Sequence, residues 1–363
     1  MLTLLARLGS LNAMDNLRFS ARQIAWVGGS LPSADRMGDV AAGSSLADVR
    51  EYSLNIYKNL RRKKGIQPLP NGMRLLVLDG HETFASYRRC CPQCLTRTIK
   101  AASGERTQYY HRYVTAELRH RDGCLLLDIE QTLPGENEMA AARRLLERLL
   151  KAVPQAFDVV GGDALYMEPA FWKLARSRGK HVIAVLKNEN RDLVGDARSL
   201  FSECEPVVIS QGRTQLQLWD ISGFTTWQQC GEDVRVVRSI ETTKVRRQLT
   251  REVEETTSEW MWATSLPPNR ATTRSVVRLG HERWSIENQC YNELVNTWHI
   301  DHCYKHDPVA IDAFILLTFL AYNLFHIFIS RSIKPELRRK HTAAHFAMLI
   351  TAELLHSSCS KPP

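Results

Sequence analysis

The sequence predicts an α/β fold in which helices pack on a mixed sheet. Two observations carry this. Short apolar runs, among them Leu75-Leu76-Val77-Leu78 and Phe157-Asp158-Val159-Val160, have the length of buried strands and stop at Asp or Gly. The chain also runs strand, strand, strand, helix, strand, helix, strand, an order that suits a sheet with helices on its faces.

Residues 1–72 read as mostly helical. Gly28-Gly29-Ser30-Leu31-Pro32 is a turn, and Ser33 sits where a helix N-cap belongs. A second helix, Leu46 to Leu60, ends in the basic cluster Arg61-Arg62-Lys63-Lys64 before Gly65. No helix-turn-helix is recognisable here, which fits a shortened N-terminus. The first strand stops at Asp79-Gly80. Thr107 to Leu118 and Cys124 to Gln131 follow as a hairpin around Asp122-Gly123. Next come a helix from Glu136 to Ala152, the strand that leads through Gly161-Gly162 into Asp163, a helix from Pro169 to Arg178, and a strand from His181 to Leu186. Short β-like runs then recur at Val207-Val208-Ile209, Gln215 to Trp219, Val234 to Val237 and Trp260 to Thr264, and helices fill the chain from Arg274. The expected organisation is a helical N-terminal region (1–72) that could meet DNA, a core in two pieces (73–190 and 266–335), a β-rich insertion between them (191–265), and a C-terminal tail (336–363).

Composition narrows the function. A hydrophobic content of 44% with 24% charged residues excludes the disordered and fibrous classes. A formal net charge of +9 favours a polyanionic partner, of which nucleic acid is the commonest. Nine cysteines, an odd number, and no signal peptide fit reduced thiols in a cytoplasm. The apolar run from Ala313 to Ile329 is interrupted by Asn323 and His326, so it reads as a buried core helix and not as a membrane span.

The stretch from His281 to Leu294 lacks Gly and Pro and places Arg283 and Glu287 on one helical face, which Cys290, Tyr291 and Leu294 continue. A lone Glu of this kind is more often a surface ion-pair partner. Asp79 and Asp163, each at the end of a predicted central strand, change its standing. Three carboxylates meeting in one cleft repel each other unless cations neutralise them. Hard oxygen donors suit Mg²⁺ or Mn²⁺, and a pair of such ions can serve both the attacking and the leaving oxygen of a phosphodiester. Glu82, Asp128, Glu130 and Asp158 read as structural or solvated.

Leu78-Asp79-Gly80-His81-Glu82, Gly162-Asp163-Ala164-Leu165-Tyr166 and Arg283-Trp284-Ser285-Ile286-Glu287-Asn288 resemble the three acidic blocks of DDE transposases from bacterial insertion sequences. The likeness is to the subgroup whose ribonuclease-H-like core carries a β-rich insertion between the second Asp and the Glu, and it runs from about residue 73 to 330. It implies a ribonuclease-H-like mixed sheet flanked by helices, with Asp79, Asp163 and Glu287 as catalytic ligands of a Mg²⁺ (or Mn²⁺) pair and Arg283 against a DNA phosphate. Water would cut the transposon end, and the freed 3′ hydroxyl would attack target DNA. The implied partners are terminal inverted repeats and target DNA, met as a homodimer on DNA at the bacterial nucleoid, in the cytoplasm and away from membranes. In that family the third block commonly holds Tyr three residues before the Arg and Lys seven after the Glu. Here those positions are Gly280 and Leu294. Two other readings compete: a nuclease of the same fold that does not join strands, and an inactive or partial DNA-binding remnant.

Cys91 and Cys94, in Cys90-Cys91-Pro92-Gln93-Cys94, supply two of the four ligands a structural Zn²⁺ needs. Candidates for the others are His111 and the run from His299 to His306; ordinary reduced thiols with DNA-facing histidines are the competing reading. Arg88, Arg89, Arg97, Lys100 and Arg106 interleave with Tyr87, Tyr109 and Tyr110, a mixture that suits a nucleic-acid groove or a solvated loop.

Overall fold

The computed structural model describes residues 1–15, 24–25, 28–102, 104–187, 191–246 and 251–356. The N-terminal region holds α1 (Leu2–Leu5), α2 (Leu11–Asp15), α3 (Ala34–Ala42) and α4 (Leu46–Arg62). Ser33 and Ser45 cap the last two, their side chains accepting from the Arg36 and Asp48 amides.

Strand β1 (Leu75–Ser86) opens with four fully buried aliphatic residues and continues well past Asp79-Gly80, where the sequence predicts a turn. Its partner β3 (Gly104–His120) explains the extension. The antiparallel ladder runs through Asp79 opposite Thr115 and Gly80 opposite Val114, and it breaks register only between Glu82 and Ala85. Strand β2 (Leu95–Ala101) lies in what reads as a loop. It is mostly polar and exposed, and pairing with the first half of β3 gives it its form. Strand β4 (Gly123–Gln131) pairs with the second half of β3.

Then come α5 (Glu138–Ala152), β5 (Val159–Gly162), a 3₁₀ turn (Ala164–Tyr166), α6 (Pro169–Ser177), β6 (His181–Val185) and α7 (Arg191–Ser202), the last not expected. Strands β7 (Val207–Gln211), β8 (Thr214–Phe224), β9 (Val234–Arg246) and β10 (Val253–Thr264) form an antiparallel meander. It is continuous with the rest, because Trp262, Ala263 and Thr264 of β10 pair with β6. The sheet order is β2-β3-β1-β5-β6-β10-β9-β8-β7 with β4 also on β3, and β1, β5 and β6 run parallel. This is the mixed sheet flanked by helices that the resemblance implies.

The chain closes with α8 (Thr273–Glu282), a π-helical turn (Ile286–Tyr291), α9 (Asn292–Trp298), α10 (Pro308–Ser332), α11 (Pro335–Lys340) and α12 (Ala343–His356). Alternation along β1 divides the core. Leu76 and Leu78 pack with α4, α5 and α6, while Leu75 and Val77 face the C-terminal helices. Helix α10 is the one described helix long and apolar enough to span a membrane, and more than half of its most apolar window is buried inside the protein. Both polar interruptions have partners. Asn323 bonds the amide and carbonyl of Leu126 at 3.0 and 2.8 Å, beside a bulge in the β3–β4 ladder, and His326 lies 3.1 Å from Glu293.

Candidate active site

The site is built where two parallel strands part, β5 ending while β1 runs on along β3. Val77 of β1 lies opposite Gly161 of β5, the last pair of that ladder, so two residues on Asp79 and Asp163 stand side by side beyond it. Asp79 is 9% exposed. Asp163 caps the 3₁₀ turn, its Oδ1 accepting from the Leu165 amide at 2.8 Å. The third side, where one unbroken helix is expected, is the π turn. Glu287 sits in its first part, and Tyr291 at its end donates from its hydroxyl to the Asp79 carbonyl at 2.9 Å. Tyr291 also stacks on His81, ring centroids 4.5 Å apart. The helix that carries Glu287 is thereby tied to the residue it must face.

Arg283 is buried and directs Nη1 to Glu287 Oε1 at 2.6 Å. The sequence pairing of Arg283 with Glu287 is therefore a physical contact. It orients the carboxylate and offsets its charge.

A fourth carboxylate joins the three that the sequence points to. Glu138, the first residue of α5 behind its Asn137 cap, comes from the opposite face of the sheet. Its carboxylate lies directly over Gly80: a Cβ there would meet Glu138 Oε2 at 2.0 Å. The glycine after Asp79 thus makes room for Glu138, and a turn is not its reason. Nothing in the spacing of Glu138 reveals this role. The remaining signal is that Asp-Gly occurs inside an otherwise continuous strand.

Electrostatics sets these groups apart. Burial, with repulsion from Glu287, Asp163 and Glu138, raises the Asp79 carboxyl to about 7, against a partial offset from Arg283. Burial and Asp163 also raise Glu138. The carboxylates read as structural are matched by arginines instead: Glu82 with Arg97 at 2.7 Å, Asp158 with Arg74 at 3.2 Å, and Asp128 and Glu130 with Arg148, both at 2.6 Å. Neither Asp79 nor Asp163 has an ion-pair partner among the described residues. Behind the site, Glu117 of β3 is buried and takes a bond from Ser285 at 3.0 Å, and Arg119 joins Glu282 at 2.9 Å. These bonds anchor both sides of Arg283 to the sheet.

The two departures from the third block have steric causes. A Cβ at Gly280 would lie 2.2 Å from the indole nitrogen of Trp262, so no Tyr fits there. Leu294, where Lys is expected, is fully buried beyond the π turn. Tyr304 and Lys305 do not stand in: Tyr304 donates to the Leu8 carbonyl at 3.2 Å, and Lys305 pairs with Asp39.

The basic and aromatic residues at 87–110 gather on the exposed β2–β3 hairpin. Arg97 lies over Tyr110 at 4.6 Å and Arg106 over Tyr87 at 4.8 Å. Cys91 and Cys94 lie beside His111 and His306.

The family model for the transposase DDE domain matches residues 89–324, well over half the chain, and its span includes Asp163, Arg283 and Glu287. Asp79 lies just before it. No curated protein matches the chain.

Proposed function

Because the chain belongs to the transposase DDE domain family, whose members cut and transfer DNA, we propose that it cuts the ends of a bacterial insertion sequence and joins the 3′ strand to target DNA through Asp79, Asp163 and Glu287. One observation carries this reading. Carboxylates from three other elements surround Asp79, which is buried, has no ion-pair partner among the described residues and is raised to about 7 by burial and by those neighbours. Such a cluster is costly without a cation and fits a hard divalent one, Mg²⁺ or Mn²⁺. Asp79, Asp163 and Glu287 would hold it; when bound, such a pair of ions supplies charge neutralisation at the attacking and leaving oxygens.

The protein's own groups do the positioning. Arg283 fixes the Glu287 carboxylate, Tyr291 holds the π turn on β1, and the β2–β3 hairpin offers cations and ring faces to the DNA. The exposed hairpin lies on the strand after Asp79, so a duplex lying on it would pass the cleft. A homodimer on the two ends belongs to the same reading, since joining two ends takes two sites.

The test is incubation with terminal-repeat DNA and Mg²⁺. Cleavage with joining supports the proposal; cleavage alone leaves the non-joining nuclease, and binding alone the remnant. Asp79→Asn, Asp163→Asn and Glu287→Gln should each lower cleavage by ~10³-fold or more with DNA affinity retained. Full activity in any one of them shows that the wrong carboxylate was chosen.

A further inference from the structure

We propose that Cys91, Cys94, His111 and His306 form a closed structural site for one zinc ion, independent of the transposase reading and with a donor set that shares no residue with the carboxylates. The four donor atoms all lie within 4.8 Å of one another. The two sulfurs are 3.7 Å apart. His111 Nε2 lies 3.3 Å from each sulfur, and His306 Nε2 lies 3.5 Å from Cys94 Sγ. Zn–S bonds of ~2.3 Å and Zn–N bonds of ~2.0–2.1 Å at tetrahedral angles put sulfurs ~3.8 Å apart and sulfur–nitrogen pairs ~3.5 Å apart. The observed edges are those of that tetrahedron. They exclude a disulfide, whose sulfurs sit ~2.05 Å apart.

The chemistry selects the ion. Two thiolates with two imidazoles suit zinc and not the magnesium that the carboxylates suit. Ligation releases the two thiol protons, and all four coordination positions are protein donors, as in structural sites. The shell around the cluster is in place. The Gln131 amide lies 2.6 Å from His111 Nδ1, the nitrogen turned away from the sulfurs, and 2.9 Å from the Gln93 carbonyl inside the Cys-x-x-Cys knuckle. Phe84 packs against both rings, at 5.3 and 6.1 Å.

The ligands come from three places: the knuckle between β1 and β2, the middle of β3, and the connection from α9 to α10. Cys94 and His306 are 212 residues apart in sequence. The ion therefore clamps the strand after Asp79 to the segment after the Glu287 helix, and it fixes the root of the basic hairpin, which begins at Leu95.

The experiment is metal analysis of the reduced, intact chain after washing with a chelator that removes Mg²⁺, followed by Co²⁺ replacement. We expect about one zinc per chain and, with cobalt, the visible bands and thiolate charge transfer of a tetrahedral S₂N₂ site. Cys94→Ser and His306→Ala should each lose the zinc by at least ~10-fold in occupancy, while Asp79→Asn and Glu287→Gln keep it. The proposal is overturned if the wild-type chain, reduced and supplied with Zn²⁺ or Co²⁺, takes up neither. It is equally overturned if Cys94→Ser and His306→Ala both retain full occupancy. The wild-type cobalt spectrum decides the matter even if a variant does not fold.

Discussion

Arg283 and Glu287 set the terms at the scale of single residues. Arg283 is buried, and its strongest contact is the carboxylate that it positions. Removing it should free Glu287 to move and leave the cleft with one cation fewer. We expect Arg283→Ala to lower cleavage by about 10²-fold, the usual cost of losing one preorganised charged contact. Arg283→Ala combined with Glu287→Gln should be no slower than Glu287→Gln alone, since both changes break one unit. Additive losses, measured as cleavage rates with Mg²⁺ present, would show that Arg283 acts elsewhere. Asp79 makes a second prediction, on pH. Its carboxyl sits at about 7 in the folded chain against 3.8 in the unfolded one, so the folded state holds the proton more tightly. The associated stability is full below pH ~4 and is lost as pH rises through ~7. Burial raises Glu117 to about 7 as well, so the metal-free melting temperature should fall over that range, and fall less in Asp79→Asn. Mg²⁺ should restore more of the loss at pH 8 than at pH 6 in the wild type and little in the variant. A Mg²⁺ shift independent of pH and of Asp79 would contradict this account.

The element scale shows which signals sequence can carry. Asp79, Asp163 and the Arg283–Glu287 pair could be singled out in the sequence because each closes a short apolar run or stands on a helical period. The extension of β1 to Ser86, the existence of β2 and the approach of Glu138 could not. The extension of β1 and the approach of Glu138 depend on partners outside their own stretch, β3 and a helix of the opposite face, while β2 is a mostly polar strand that forms only as one arm of a hairpin with β3. The π turn was hidden for another reason. Its residues have ordinary helical character, and the widened turn shows only in how Tyr291 meets Asp79 while Leu294 and Trp298 enter the core. Gly280 looks like a defect in the third block until Trp262 is seen filling its space. Gly280→Tyr should therefore destabilise the fold by about 3 kcal/mol, the cost of overpacking a filled core. Denaturant unfolding would register this, and Trp262→Ala in the same chain should recover part of the loss. An unchanged midpoint for Gly280→Tyr would mean that α8 can shift away from β10 at little cost.

For the whole molecule, continuity of the sheet matters most. The strands of residues 207–264 extend the sheet that holds the carboxylates, joined through a short contact of β10 with β6. Composition and spacing announced β-structure there but could not say whether it formed a separate unit, because pairing across 80 residues leaves no local trace. The sulfur–nitrogen cluster illustrates the same limit. The sequence offered two cysteines and several histidines, and only the packing of α10 on β4 and the N-terminal helices selects His306 from the rest.

Strands β9 and β10 have a further consequence. Near β6 their residues are buried, but from Val253 to Glu259 the side chains of β10 are exposed, and opposite them β9 grows progressively more open. A register is held firmly only where one face is covered. The ladder from Arg235–Thr264 to Arg246–Val253 should therefore unzip from its free end while its root stays closed. Amide hydrogen exchange would record this as protection rising residue by residue toward Trp262. A uniform rate along both strands would mean that the ribbon opens all at once. With a graded rate, the outer ribbon is a compliant arm on a stiff base, able to bend toward a bound molecule without disturbing Asp79, Asp163 or Glu287.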